Sequence, residues 1–97
     1  MTVLSDDEID RWIANHDGWR RVGGVLTRTI ECATFPDAIA LVTAVWQAAE
    51  ERNHHPDMYV RYRTLRFSLA THSEGGITAK DIELAEAIDN LAAGHVG

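Results

Sequence analysis

The stretch from about residue 35 to residue 52 constrains this chain most, because it is apolar around more than half of a helical circumference. Thr34 is placed to cap it, Pro36 suits its first turn, and Asp37 stands three residues after the cap. Phe35, Ile39, Val42, Trp46 and Ala49 form one stripe at helical spacing, and Ala38, Leu41, Val45 and Ala48 widen it. So broad a surface needs a sheet against one side and a further partner on the other. Polar residues return only at Gln47, Glu50, Glu51 and Arg52. Pro56 then disfavours the α conformation at His55, which stops the helix near Asn53 or His54.

The flanking segments alternate. Trp19 to Val22 and Val25 to Ile30, joined by Gly23-Gly24, read as a β-hairpin with a two-residue turn. Its Arg20, Arg21 and Arg28 read as a solvated strand face. Met58 to Tyr62 and Thr64 to Thr71 read as a second hairpin turning near Arg61 to Arg63. Ser5, Asp6, Asp7 and Glu8 form a capping box that opens a first helix over about 6 to 16, on the apolar spacing of Ile9, Trp12, Ile13 and His16. His16 on that face reads as a partly buried structural residue or a helix-end cation. After Gly75-Gly76, Thr78 and Asp81 make a second box, and Leu84, Ile88, Leu91 and Ala92 give the last helix its stripe. Gly94 closes that helix, and residues 95–97 read as a frayed tail. The order α-β-β-α-β-β-α predicts one α+β domain over residues 1–97: a four-stranded antiparallel sheet with helices packed on one face. The other face is left for a ligand or a second subunit.

Composition narrows the function. A formal net charge of -6 argues against direct nucleic-acid binding, which needs a basic face. No apolar run reaches membrane-spanning length and no signal segment opens the chain, so no membrane association is expected. Cys32 is the single cysteine, which excludes an intrachain disulfide and fits a reducing, cytoplasmic setting.

Chemistry concentrates between Glu50 and Asp81, where His54, His55 and His72 fall at ends of elements. Ends of elements let side chains meet in a pocket while rigid scaffold holds their backbones. Glu50 lies four residues before His54, so on a continuing helix its carboxylate would orient that imidazole. Three readings compete. A metal site fits poorly, because adjacent histidines diverge and neither a Cys-x-x-Cys nor a His-x-x-x-His spacing is present. Each histidine taken singly suits a hydrogen-bonded turn, as Asp81 suits a helix cap. Together, the three histidines suit metal-free general acid–base chemistry, such as elimination of water from a carbinolamine.

The run Glu50-x-x-x-His54-His55-Pro56, then Thr71-His72, then the helix start at Asp81, resembles the pterin-4a-carbinolamine dehydratases over nearly the whole chain. The resemblance implies dehydration, without metal or organic cofactor, of 4a-hydroxytetrahydropterin to quinonoid dihydropterin, the recycling step that follows aromatic amino acid hydroxylation, and hence a functional link to such a hydroxylase. It implies that His54 and His72 are the proton-transfer pair, that His55 binds and orients the pterin or shares the acid–base work as a third catalytic residue, that Glu50 tunes the site and that Asp81 supports it. Pro56 and Thr71 come with the motif as supporting residues. Met58 stands where the family usually has tryptophan; its sulfur can pack on a flat ring, and Tyr59 is the candidate to compensate. The resemblance also implies a homodimer or homotetramer. Two other functions stay open: a non-catalytic dimerisation-cofactor module of the same fold, and action on another pterin, as in molybdopterin metabolism.

Overall fold

Local capping chemistry places all three helices of the computed structural model, which describes residues 2–96. Helix α1 spans Asp6–Ala14, with Ser5 and Glu8 bonded reciprocally at 2.9 and 3.2 Å. It stops two residues short of the expected end. The His16 ring instead folds back on Trp12, with centroids 4.1 Å apart and Nδ1 2.7 Å from the Trp12 carbonyl oxygen. Helix α2 spans Phe35–Arg52 and ends at Asn53 in the left-handed conformation, φ 46°. Asparagine tolerates that region because its short polar side chain can bond locally. Helix α3 spans Ala79–Ala92 behind the Thr78–Asp81 capping box.

Strands β1 (Trp19–Val22), β2 (Val25–Glu31), β3 (Asp57–Arg61) and β4 (Thr64–Leu69) form one antiparallel sheet in the order β1-β2-β4-β3. The register sets Leu26 opposite Leu69, Arg28 opposite Phe67 and Ile30 opposite Leu65, so the two central strands share one core-facing row that is apolar except at Arg28. The fold is thus the expected α-β-β-α-β-β-α arrangement, with three helices against a four-stranded antiparallel sheet. The sheet row, with Trp19, packs with Ile9 of α1, with Ala38, Leu41, Val45 and Ala49 of α2, and with Leu84, Ala85, Ile88 and Ala92 of α3. Burying a side chain as large as Phe67 contributes about 1.5–3 kcal/mol. Among the described residues, no helix is long and apolar enough to cross a membrane.

The structure revises three expectations. The core-facing line of α2 is Ala38, Leu41, Val45 and Ala49, whereas Phe35, Ile39 and Trp46 are 46%, 44% and 47% exposed. Small alanines let the helix lie close on the sheet, where the bulky line would hold it off. The arginines are not simply solvated: Arg21 reaches Asp6 and Asp10 of α1 at 2.9 and 3.1 Å. Arg28 pairs with Asp89 of α3, which also accepts from Trp19 Nε1 at 2.9 Å. Nor is the tail frayed. Ala33 N–H donates to the His95 carbonyl at 2.8 Å, Val96 bridges Cys32, and His95 Nδ1 lies 3.0 Å from Asp37 Oδ1. Gly97 lies outside the described residues.

Candidate active site

The C-terminus of α2, the end of β4 and the first turn of α3 meet at one corner of the molecule. The left-handed Asn53 ends α2 and turns the chain, so His54 and His55 leave the helix in different directions. Strand β4 stops at Leu69, two residues earlier than expected, because Thr71 N–H bonds back to Gly76 O at 2.9 Å. His72 consequently opens a short 3-10 turn, His72–Glu74, in place of continuing the strand. A cleft of about 260 Å³ lies between these segments, lined by His54, His55, Thr71 and His72 together with Asn53, Ala70, Ser73 and Lys80.

His54 is only 9% exposed, and Asp81 beneath it is fully buried. His54 Nε2 lies 2.5 Å from Asp81 Oδ1. Since a carboxylate oxygen accepts, Nε2 carries the proton and Nδ1 remains for other partners. The second carboxylate oxygen, Oδ2, accepts from the Thr71 hydroxyl at 2.8 Å and from Thr78 N–H at 2.9 Å. With the Thr71 proton so engaged, the 2.8 Å contact between the two threonine hydroxyls has Thr78 as donor. Three donors thus satisfy a carboxylate that would be costly to bury alone. The same carboxylate completes the α3 capping box and fixes the imidazole.

Glu50 bonds His55 Nε2, not His54 as helical spacing suggested, because the turn at Asn53 breaks the expected continuation of the helix. This pair is more than half exposed. Among the described residues, the exposed His72 imidazole has no hydrogen-bond or ion-pair partner. The three histidines therefore differ in state: one buried and oriented, one exposed and paired, one unpartnered. Pro56, Met58 and Tyr59 are not in the cleft lining. Met58 lies opposite Phe67, whereas Tyr59 lies opposite Arg66, whose guanidinium sits 4.8 Å from the tyrosine ring centroid. Successive strand residues point to opposite faces, so Tyr59 cannot take the place of Met58.

Sequence reasoning did not single out Asn53, Ser73 or Lys80. For Lys80 a signal existed: it is the sole lysine of the chain and immediately precedes Asp81. Among the described residues, no group of three or more His, Cys, Asp or Glu side chains is arranged to hold a metal ion. A larger groove of about 470 Å³ separates α2 from α3, but its lining contains no histidine.

The model of the pterin 4 alpha carbinolamine dehydratase family matches residues 2–91. The chain belongs to that family. Curated relatives carry the dehydratase name provisionally. One from Mycolicibacterium smegmatis is 46% identical over 91 residues, covering 94% of this chain and 97% of its own. One from Nocardia farcinica is 48% identical over 90 residues, covering 93% and 95%. Among solved structures, a transcriptional coactivator/pterin dehydratase from Brucella melitensis superposes with a TM-score of 0.91 at 30% identity, over 95% of this chain and all of its own. A pterin dehydratase-like protein described as a RuBisCO assembly factor in the alpha-carboxysome shares the fold, with a TM-score of 0.69 at 21% identity over 80% of this chain and 93% of its own.

Proposed function

We propose that this pterin carbinolamine dehydratase family member eliminates water from 4a-hydroxytetrahydropterin by acid–base catalysis with its own histidines. One observation carries the reading: an imidazole held by a buried, fully hydrogen-bonded carboxylate shares a cleft with an imidazole that has no partner among the described residues. The reaction breaks the bond between C4a and its hydroxyl and forms a C4a=N5 double bond. One group protonates the departing hydroxyl and another accepts the N5 proton, so water and quinonoid dihydropterin leave with no net change in protons. His54, with Nε2 committed to Asp81, offers Nδ1 for one transfer, and Asp81 stabilises the imidazolium whenever it forms. His72 handles the other; with no partner among the described residues, its ring nitrogens are open to substrate. His55, anchored by Glu50 at the rim, binds and orients the ring.

The test is the decay of freshly generated 4a-hydroxytetrahydropterin, followed by absorbance. The wild type should accelerate it, and His54→Ala or His72→Ala should each remove about 10²–10⁴-fold of the acceleration. A wild type no faster than the spontaneous reaction would sink the enzymatic reading. The fold would then be serving as a binding module, and the exposed apolar side chains of α2 would be the first surface to probe.

A further inference from the structure

The single lysine of this chain stands at the candidate site, and among the described residues no carboxylate pairs with it. Lys80 is exposed in the first turn of α3 and lines the histidine cleft. Among the described residues its ammonium has no ion-pair or hydrogen-bond partner. By contrast Arg21, Arg28, Arg52 and Arg63 all pair with carboxylates. Although the chain carries a net charge of -6, no carboxylate is among the described residues lining that cleft. Asp81 is buried and engaged, and Glu50 is taken by His55. Beside Lys80, the Ser73 hydroxyl, the Asn53 amide and the His72 ring all offer donors. On its other flank Lys80 borders a second hollow with Glu51, Arg52 and Glu83, where Arg52 already reaches both glutamates, at 3.8 and 3.5 Å.

Size and ring connectivity indicate what meets this charge. The cleft holds about 260 Å³, below the roughly 300–1,000 Å³ usual for sites that enclose a whole small molecule. Its rim residues His55, His72, Ser73 and Lys80 are exposed, so a ring seated against the buried His54 can leave its substituent at that mouth. In a pterin the substituent-bearing carbon, C6, is bonded directly to N5, the atom that loses its proton. A ring placed for proton transfer at the histidines therefore projects its substituent from beside them. A flexible four-carbon stem lets the Lys80 ammonium reach an anion there as a point charge.

Resting on the dehydratase reading, we propose that Lys80 is a specificity residue that favours pterins whose substituent carries an anionic group, such as a phosphate ester, over neutral ones. The probes are a stable dihydropterin with a neutral polyhydroxyalkyl substituent and the same compound phosphorylated on that substituent, each titrated by fluorescence. For a partly exposed charge contact of about 1 kcal/mol, wild type should bind the phosphorylated form roughly fivefold more tightly at low salt. The preference should shrink as salt rises, vanish in Lys80→Ala and persist in Lys80→Arg, with the neutral compound's affinity unchanged throughout. Because Lys80 is the sole lysine, acylation at this residue, read by peptide mass spectrometry, should be slowed by the phosphorylated compound more than by the neutral one. Equal affinities in wild type, a preference that survives Lys80→Ala, or a Lys80→Ala loss shared equally by both compounds would overturn the inference. Binding without preference overturns this inference alone; failure of both compounds to bind overturns the dehydratase reading with it.

Discussion

Asp81 shows how one carboxylate can serve a helix and a site together. Its Oδ2 takes the Thr78 amide that opens α3, and its Oδ1 holds His54. The capping role could be read from the sequence, because Thr78 and Asp81 are three residues apart. The site role could not, since His54 lies 27 residues away and the two meet only when α3 docks. Glu50 illustrates the converse: four-residue spacing pointed to His54, and one left-handed residue redirected the carboxylate to His55. A second carboxylate gives a prediction at this scale. Hydrogen bonds from His95 and then Thr34 hold the Asp37 carboxyl below the usual aspartate range. A depressed native pKa contributes stability that is present above the ordinary aspartate value and is lost as pH falls through the native one. An NMR titration of the Asp37 carboxyl should therefore give a low midpoint. His95→Ala should raise it only part of the way, since Thr34 still donates at 2.9 Å. An unmoved midpoint would mean that the tail does not clamp α2.

The elements were the most legible part of the chain because their signals are local. Capping boxes, the Pro56 stop and period-two alternation all act within a few residues. The facing of α2 was harder to read. Two adjacent stripes are both apolar, and only the sheet selects the one with alanines at its ends. The turn between α1 and β1 supplies an element-scale prediction. Gly18 has φ 93°, and a Cβ there would lie 2.7 Å from Arg28 Nε, the side chain that ties β2 to Asp89 of α3. Gly18→Ala should cost more than about 1 kcal/mol in urea denaturation, because both the backbone conformation and the Arg28 position oppose it. A neutral result would show that Arg28 yields freely and that its pairing with α3 is not a constraint.

On the scale of the whole molecule, the chain has an apolar side that it does not cover itself. Phe35, Ile39 and Trp46 of α2 are exposed, as are Met58 and Val60 of the edge strand β3, and Phe35 stacks on Tyr62 with centroids 6.2 Å apart. An edge strand with unpaired backbone groups beside an apolar helix is a surface that proteins ordinarily cover. We therefore expect self-association through α2 and β3. Sedimentation should show wild type as a dimer or tetramer and Trp46→Glu as a smaller species with unchanged helical circular dichroism. A monomeric wild type would leave the face to a different partner. The unequal support given to the histidines has a consequence for descent within this family. A lineage that altered Asp81 would forfeit a helix start along with the proposed chemistry, so selection on folding alone would resist the change. His72 has no such protection: among the described residues, no other side chain bonds to it. A single replacement there could silence the proposed reaction while the architecture survives intact, free to be recruited for another purpose.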